Sequence, residues 1–204
     1  MLRKLVTALL TVSLMISSPL TWAFGLSDLQ NTLEKSAVIS GDFEQTKEIA
    51  MLSKPLVSNG NFVLSDKQGL LWLQTTPFPV TLILSDQTLR QKMPGQAEQV
   101  IHAKDNPMAF YFSDLFLGLF HADADVLTQQ FSYELDGSPE AWTLVLTPTE
   151  APLTKVFSQI TLSGSHNIDA LTMEELRGDK TTVTFSNIQH ASALTDEERR
   201  AFND

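Results

Sequence analysis

The chain has no cysteine. Disulfides, thiol nucleophiles, Cys-ligated zinc or iron–sulfur centres, and a lipid attached to an N-terminal cysteine are all excluded. Positive charge is scarce. Against 24 Asp and Glu stand 14 Lys and Arg, a formal net charge of −10 over 204 residues. A surface of that sign repels a phosphate backbone, so nucleic acid is not an expected partner. Tyrosine is also rare, with two residues against twelve phenylalanines. Catalytic signatures are missing. There is no Gly-x-Ser-x-Gly elbow and no phosphate-cradling glycine loop. The four histidines, His102, His121, His166 and His190, fall in separate turns or element ends. None has a second ligand at the spacing of a helix-borne metal pair. The closest approach to a ligand cluster, His121-Ala122-Asp123-Ala124-Asp125, reads as a polar loop capping the next helix. Glu174-Glu175 and Glu197-Glu198 read as solvated faces. No catalytic residue, metal or cofactor is expected, and the protein is read as a non-enzyme.

Long hydrophobic runs are absent after the first two dozen residues. Met1-Leu2-Arg3-Lys4 is a basic start, Leu5 to Ile16 is almost wholly apolar, and Ser17-Ser18-Pro19 breaks the run before Ala23. The run is shorter than the ~20 residues of a spanning helix. These are the three parts of a secretory signal peptide. Cleavage is expected after Ala23, leaving one domain over residues 24–204, exported to the periplasm. Losing Arg3 and Lys4 takes the formal charge of −10 two units lower, to −12.

The mature chain opens with a helix. Ser27-Asp28-Leu29-Gln30 has the form of a capping box, Leu29, Leu33 and Ala37 share a face, and Gly41 is a stop signal. About three turns are expected. Short strands then follow one another with only turns between them: Phe43–Ile49, Asn61–Ser65, Leu70–Gln74, Val80–Leu84 and Thr88–Gln91. Such succession means an antiparallel meander, not a doubly wound sheet. The segment from Asp105 to Gln130 interrupts it. From Met108 to Phe120 ten of thirteen residues are apolar, and a helix apolar on every side must be buried or cover something apolar. Val126-Leu127 reads as part of a second short helix. Strands resume at Phe131–Leu135, Trp142–Leu146, Val156–Leu162, Ala170–Leu176 and Thr181–Ser186. Thr195-Asp196-Glu197-Glu198 is a second capping box and starts a terminal helix.

The abundant residue, phenylalanine, offers area without a hydrogen bond. That suits an alkyl-lined cavity and an ordinary core equally. Topology sharpens the choice. A single sheet with one helix ahead of it needs a cover, and the Phe-rich insertion is the obvious one. A hinged cover on an open sheet leaves room for a lipid chain.

Residues spread along the chain carry a resemblance. The opening helix, Phe43-x-Gln45-x-Lys47, Pro55-Leu56-x-Ser58-x-Gly60-x-Phe62, Gly69-Leu70-x-Trp72, Pro77-Phe78, Leu84-Ser85-Asp86 and Thr184-Phe185 stand in an order and spacing similar to the periplasmic lipoprotein carriers of the LolA family. The likeness is to a divergent branch and covers most of the mature chain. It implies an α+β, mainly β fold: an unclosed, strongly curved antiparallel half-barrel of about eleven strands, with an N-terminal helix and a helical lid. It implies a soluble carrier. Such carriers take an acylated lipoprotein from an inner-membrane ATP-binding-cassette complex and hand it to an outer-membrane acceptor. The family's lid-contacting Arg is not present here; Asp66 and Lys67 occupy that region, and Lys67 lacks the planar fork of Arg. Divergent relatives are associated with glycolipid or aryl-polyene pathways, so such a lipid is the alternative cargo.

Strand parity then nominates a ligand-facing set, Phe62, Leu64, Leu70, Trp72, Leu82, Leu84, Leu144 and Leu146. A one-residue slip in register would turn each to the other face. The lid candidates are Phe110, Phe112, Leu115, Phe116, Leu119 and Phe120. The expected partners are an acylated lipoprotein or lipid cargo, its exporter and its acceptor, with only transient membrane proximity and a monomeric state. A non-catalytic lipid-sensing or protein-binding module of the same fold is the competing reading. A lipid enzyme would need a polar constellation at the cavity mouth, and none assembles from these residues.

Overall fold

A computed structural model describes residues 24–33, 36–85, 88–105, 118 and 124–203. Helix α1 (Leu26–Thr32) leads into β1 (Val38–Glu48), β2 (Leu56–Ser65), β3 (Gly69–Thr76), β4 (Val80–Leu84), β5 (Thr88–Lys92) and β6 (Gln99–His102). Helix α2 (Ala124–Gln130) runs straight into β7 (Phe131–Ser138), followed by β8 (Ala141–Pro148) and a 3-10 turn (Leu153–Lys155). Then come β9 (Phe157–Gly164), β10 (Ile168–Glu175), β11 (Lys180–Ala191) and α3 (Asp196–Asn203).

All eleven strands form one antiparallel sheet in the order β6-β5-β4-β3-β2-β1-β11-β10-β9-β8-β7. Each half is a meander, as the run of short strands separated by turns requires. The pairing of β1 with β11 joins the halves, from Val38 opposite Ala191 to Glu48 opposite Lys180. Edge strands β6 and β7 have no partner on their outer sides among the described residues, so the curved sheet stays unclosed. Register follows turn chemistry. Gly69 closes the β2–β3 turn at φ +90, and a Cβ there would lie 2.0 Å from the Leu84 carbonyl oxygen, so both conformation and space demand glycine.

The sheet is covered on both sides. One face carries the larger core, which takes Leu26 and Leu29 from α1, Leu33 just after it and Leu127 from α2. The opposite face carries Val38, Val63, Leu71 and Ile83 under Phe202 of α3, with Leu194 and Ala201 alongside. We call these the concave and convex faces.

Several sequence expectations change. Helix α1 has seven residues, about two turns, and its N-cap is Gly25, whose amide donates to Asp28 Oδ2 at 2.9 Å. The Ser27 box therefore shifts by two residues. Gly41 is not a helix stop but lies inside β1, beside a break in register between Ser40 and Asp42. Strand β6 was not expected, because Gln99-Val100-Ile101-His102 offers only two apolar residues. The terminal cap is as read: Glu198 N donates to Thr195 Oγ1 at 3.2 Å, and Thr195 N donates back to Glu198 Oε2 at 2.7 Å. The expected lid over Met108–Phe120 lies, except for Gly118, outside the described residues, as do all six of its nominated side chains. No helix among the described residues is long and apolar enough to cross a membrane.

Candidate functional site: the concave face

Alternation decides which side chains reach the concave face, and register decides which of them meet. Strands β2 and β3 pair Phe62 with Trp72 and Leu64 with Leu70. Strands β3 and β4 pair Leu70 with Leu84 and Trp72 with Leu82. On the far side, Leu144 opposes Leu162 and Leu146 opposes Ile160. Leu64, Leu70, Leu84, Leu144 and Leu146 are all buried in one cluster with α1 and α2. Phe62 belongs to it and Trp72 packs against it. Leu82 is half-buried, two residues from Leu84 and opposite Trp72, hence on the same side of the pleat. The eight nominated residues therefore share one face, though from separate strands.

Their centre is aromatic. Phe43 stacks on Trp72 with ring centroids 3.6 Å apart and planes at 23°. Phe62 stands 6.4 Å from Trp72 and meets Phe185 edge-on at 5.3 Å and 69°. These contacts link β3, β2, β1 and β11. Such offset and edge arrangements add about 0.5–1.5 kcal/mol per pair beyond the area they bury. Sequence reading missed Phe43 and Phe185 as site residues. They oppose each other across β1 and β11, strands separated by almost the whole chain. No local spacing announces that pairing.

The face is graded. Where β1 begins it is mostly apolar, with His190, opposite Ile39, hydrogen-bonded to Ser36 Oγ at 2.9 Å and Asn167 Oδ1 at 2.7 Å; Trp142, buried in the same cluster, donates its indole N–H to the Ser165 carbonyl at 2.6 Å. Toward the other end, Gln45, Lys47, Ser58, Gln74 and Thr181 follow the same pleat parity. Ser58 and Thr181 are buried there; Gln74 donates to the Phe78 carbonyl at 2.9 Å. Apart from this band and His190, the described side chains of this face offer contact area. Among the described residues no group of three or more His, Asp or Glu is placed to hold a metal ion.

The convex face differs. Two polar hollows flank α3. One of about 450 Å³ is lined by Ser40, Asp42, Asn61, Asn187, Gln189 and Glu198 among others. There the Asp42 carboxylate accepts from the side-chain amides of Asn61 and Asn187. The other, about 350 Å³, is bordered by Lys67, Ser85, Thr88, Arg90 and Phe202.

A curved, unclosed eleven-stranded sheet with an apolar concave face is one matter; which family builds it is another. The family model described as outer membrane lipoprotein carrier protein LolA matches residues 34–199. The chain belongs to the LolA family. The comparison with curated proteins finds no match. Three solved structures are similar to it. A LolA superfamily protein from Nitrosomonas europaea is 10% identical, covering 84% of this chain and 94% of its own, with a TM-score of 0.46. A domain named for outer membrane lipoprotein sorting, from Vibrio parahaemolyticus, is 8% identical, covers 88% and 97%, and scores 0.47. A DUF1329 family protein from Desulfovibrio piger is 12% identical, covers 84% and 92%, and scores 0.47. Within this LolA-family chain, Lys67, which stands with Asp66 where the resemblance would put an Arg, is exposed at the β2–β3 turn. It borders the convex hollow beside Phe202.

Proposed function

We propose that this LolA-family protein is a periplasmic carrier. It holds the acyl chains of a lipoprotein, or of a related exported lipid, against the concave face and shuttles them from the inner to the outer membrane. One observation carries the reading: the apolar concave surface runs across both halves of the sheet around an aromatic centre, with α1 and α2 packed into it. An alkyl chain needs that surface chemistry and no polar handle. Burial of one CH₂ is worth about 0.8 kcal/mol, so a dozen buried carbons supply on the order of 10 kcal/mol gross. Displacing the protein's own contacts and ordering the complex subtract from this. A modest remainder allows release, which a carrier needs. The role is non-catalytic: side chains bind and shield, and none transfers a proton. An inner-membrane exporter donates the cargo and an outer-membrane acceptor receives it.

Native mass spectrometry of the mature protein purified from periplasm, followed by solvent extraction and lipid identification, tests this. A lipoprotein or acyl lipid at near one per chain is the expected result and names the cargo. A clean apo mass, with no uptake of added acyl lipid and no binding of an apolar dye, overturns the reading and leaves a filled core. Leu70→Glu sharpens the test. It is expected to weaken acyl binding more than folding; equal losses would mark a plain core residue.

A further inference from the structure

The large apolar side chains that the fold leaves exposed are not scattered. Eight are exposed among the described residues, and six of them, Met51, Leu52, Leu56, Val57, Phe78 and Leu176, lie at or beside three turns. Those turns join β1 to β2, β3 to β4 and β10 to β11. Strand direction alternates, so all three stand at one end of the sheet, above six consecutive strands from β4 to β10. Exposure is greatest at the tips: 94% for Met51, 73% for Phe78 and 60% for Leu176. Single exposed apolar residues are ordinary, but a cluster of them marks an interaction surface.

The rim is also held in place. The buried Asp179 carboxylate accepts from the Ala50 amide at 3.0 Å and pairs with Arg177 at 3.0 Å, tying the β10–β11 turn to the β1–β2 loop. Gln74 Nε2 fixes the β3–β4 turn through the Phe78 carbonyl. Charge sets the rim apart as well. It holds four cations, Lys47, Lys54, Arg177 and Lys180, and four anions, Glu48, Glu174, Glu175 and Asp179. The rim is formally neutral on a chain whose net charge is −10.

We infer that this rim docks onto the headgroup region of a zwitterionic lipid bilayer, with Met51, Leu52, Phe78 and Leu176 entering the interface. A bilayer accepts side chains carried on separate turn tips because it deforms around them, and its uncharged surface matches a neutral rim. A polybasic docking patch would instead need an excess of Lys and Arg, which the rim lacks. The inference stands apart from acyl binding on the concave face. It concerns which end of the molecule approaches a membrane.

Flotation with phosphatidylethanolamine–phosphatidylcholine vesicles tests it. The wild-type chain is expected to rise with the vesicles at low and high salt alike. Met51→Asp combined with Phe78→Asp is expected to cut the bound fraction by about tenfold or more, since each side chain buries apolar area in the interface. Both residues are exposed, so the thermal midpoint is expected to hold. Val100→Asp, on edge strand β6 two strands beyond β4, is exposed but outside the three turns and is expected to float as the wild type does. Three results overturn the inference: no flotation of the wild type, equal flotation of the rim variant, or a wild-type dimer in sedimentation that the rim variant dissolves without any flotation. A protein that merely extracts lipid into its concave face stays at the bottom of the gradient, so the two readings fail separately.

Discussion

The two faces of the same strands are buried by different means. The concave face gathers side chains from both halves of the sheet together with α1 and α2. Among the described residues the convex face has one small cluster, Val38, Val63, Leu71, Ile83 and Phe202, and α3 is the only helix that covers it. The consequence is written along each strand. In β2 and β3, where α3 lies behind the sheet, Phe62, Val63 and Leu64 are buried in succession, as are Leu70 and Leu71. In β8, beyond its reach, Trp142, Leu144 and Leu146 are buried while Thr143 is exposed. Continuous apolar runs mark strands covered twice, and alternation marks strands covered once. One sheet can thus be braced from behind on one half while its concave side is kept for contact area.

If the concave face is the main core, damage there is costliest. Leu146, on β8, is fully buried in it. Leu146→Ala is expected to lower stability by about 4 kcal/mol, the transfer term plus an unfilled cavity, read as a shift in urea midpoint at constant slope. Phe202 is the convex counterpart, and Phe202→Ala is expected to cost about 3 kcal/mol. The comparison breaks if the convex change also removes acyl-lipid binding, because α3 would then belong to the site. It sharpens if Phe202→Ala binds acyl lipid as the wild type does after correction for the unfolded fraction.

Trp72 separates the two roles of the concave face. It is only half-buried, yet it stacks on Phe43 and lies near Phe62. Trp72→Leu keeps most of the apolar bulk and removes the stacked ring, so about 1–2 kcal/mol of stability is expected to go. Affinity for a fluorescent acyl lipid is expected to fall on the order of tenfold, since a half-open ring on this face is ligand area. Unchanged affinity would make Trp72 packing alone.

Much of this was legible beforehand for reasons that stay local. Val80–Leu84 is bounded by Pro79 and Ser85, and its run of apolar residues has the length of a strand; the observed β4 has those limits. Asp66-Lys67-Gln68-Gly69 is turn chemistry, and the positive φ of Gly69 bears it out. Parity within a strand then put Phe62 with Leu64 and Leu144 with Leu146 on a common face. What stayed hidden was non-local. Phe43 and Phe185 meet only because β1 closes on β11, and Val63, Leu71 and Ile83 are buried only because the last helix returns across the first strands. The α1 cap was misread because Asp28 serves Gly25, whose role needs no side chain. Residue spacing cannot say which strand lies behind which helix.

The smallest expected effect tests how independent the convex brace is. Helix α3 starts at a reciprocal cap: Glu198 N donates to Thr195 Oγ1 and Thr195 N donates to Glu198 Oε2. Eight residues make a marginal helix without packing, so cap and Phe202 should act together. Thr195→Ala removes the hydroxyl and is expected to cost about 1 kcal/mol. Hydrogen exchange localises the effect. Amides of α3 are expected to lose protection, while those of β8 and β9, which α3 does not cover, keep theirs. Uniform loss across the sheet would mean that both faces open as one unit and that the brace has no stability of its own. Confinement to α3 and the strands it covers would show a terminal helix able to loosen without disturbing the concave surface.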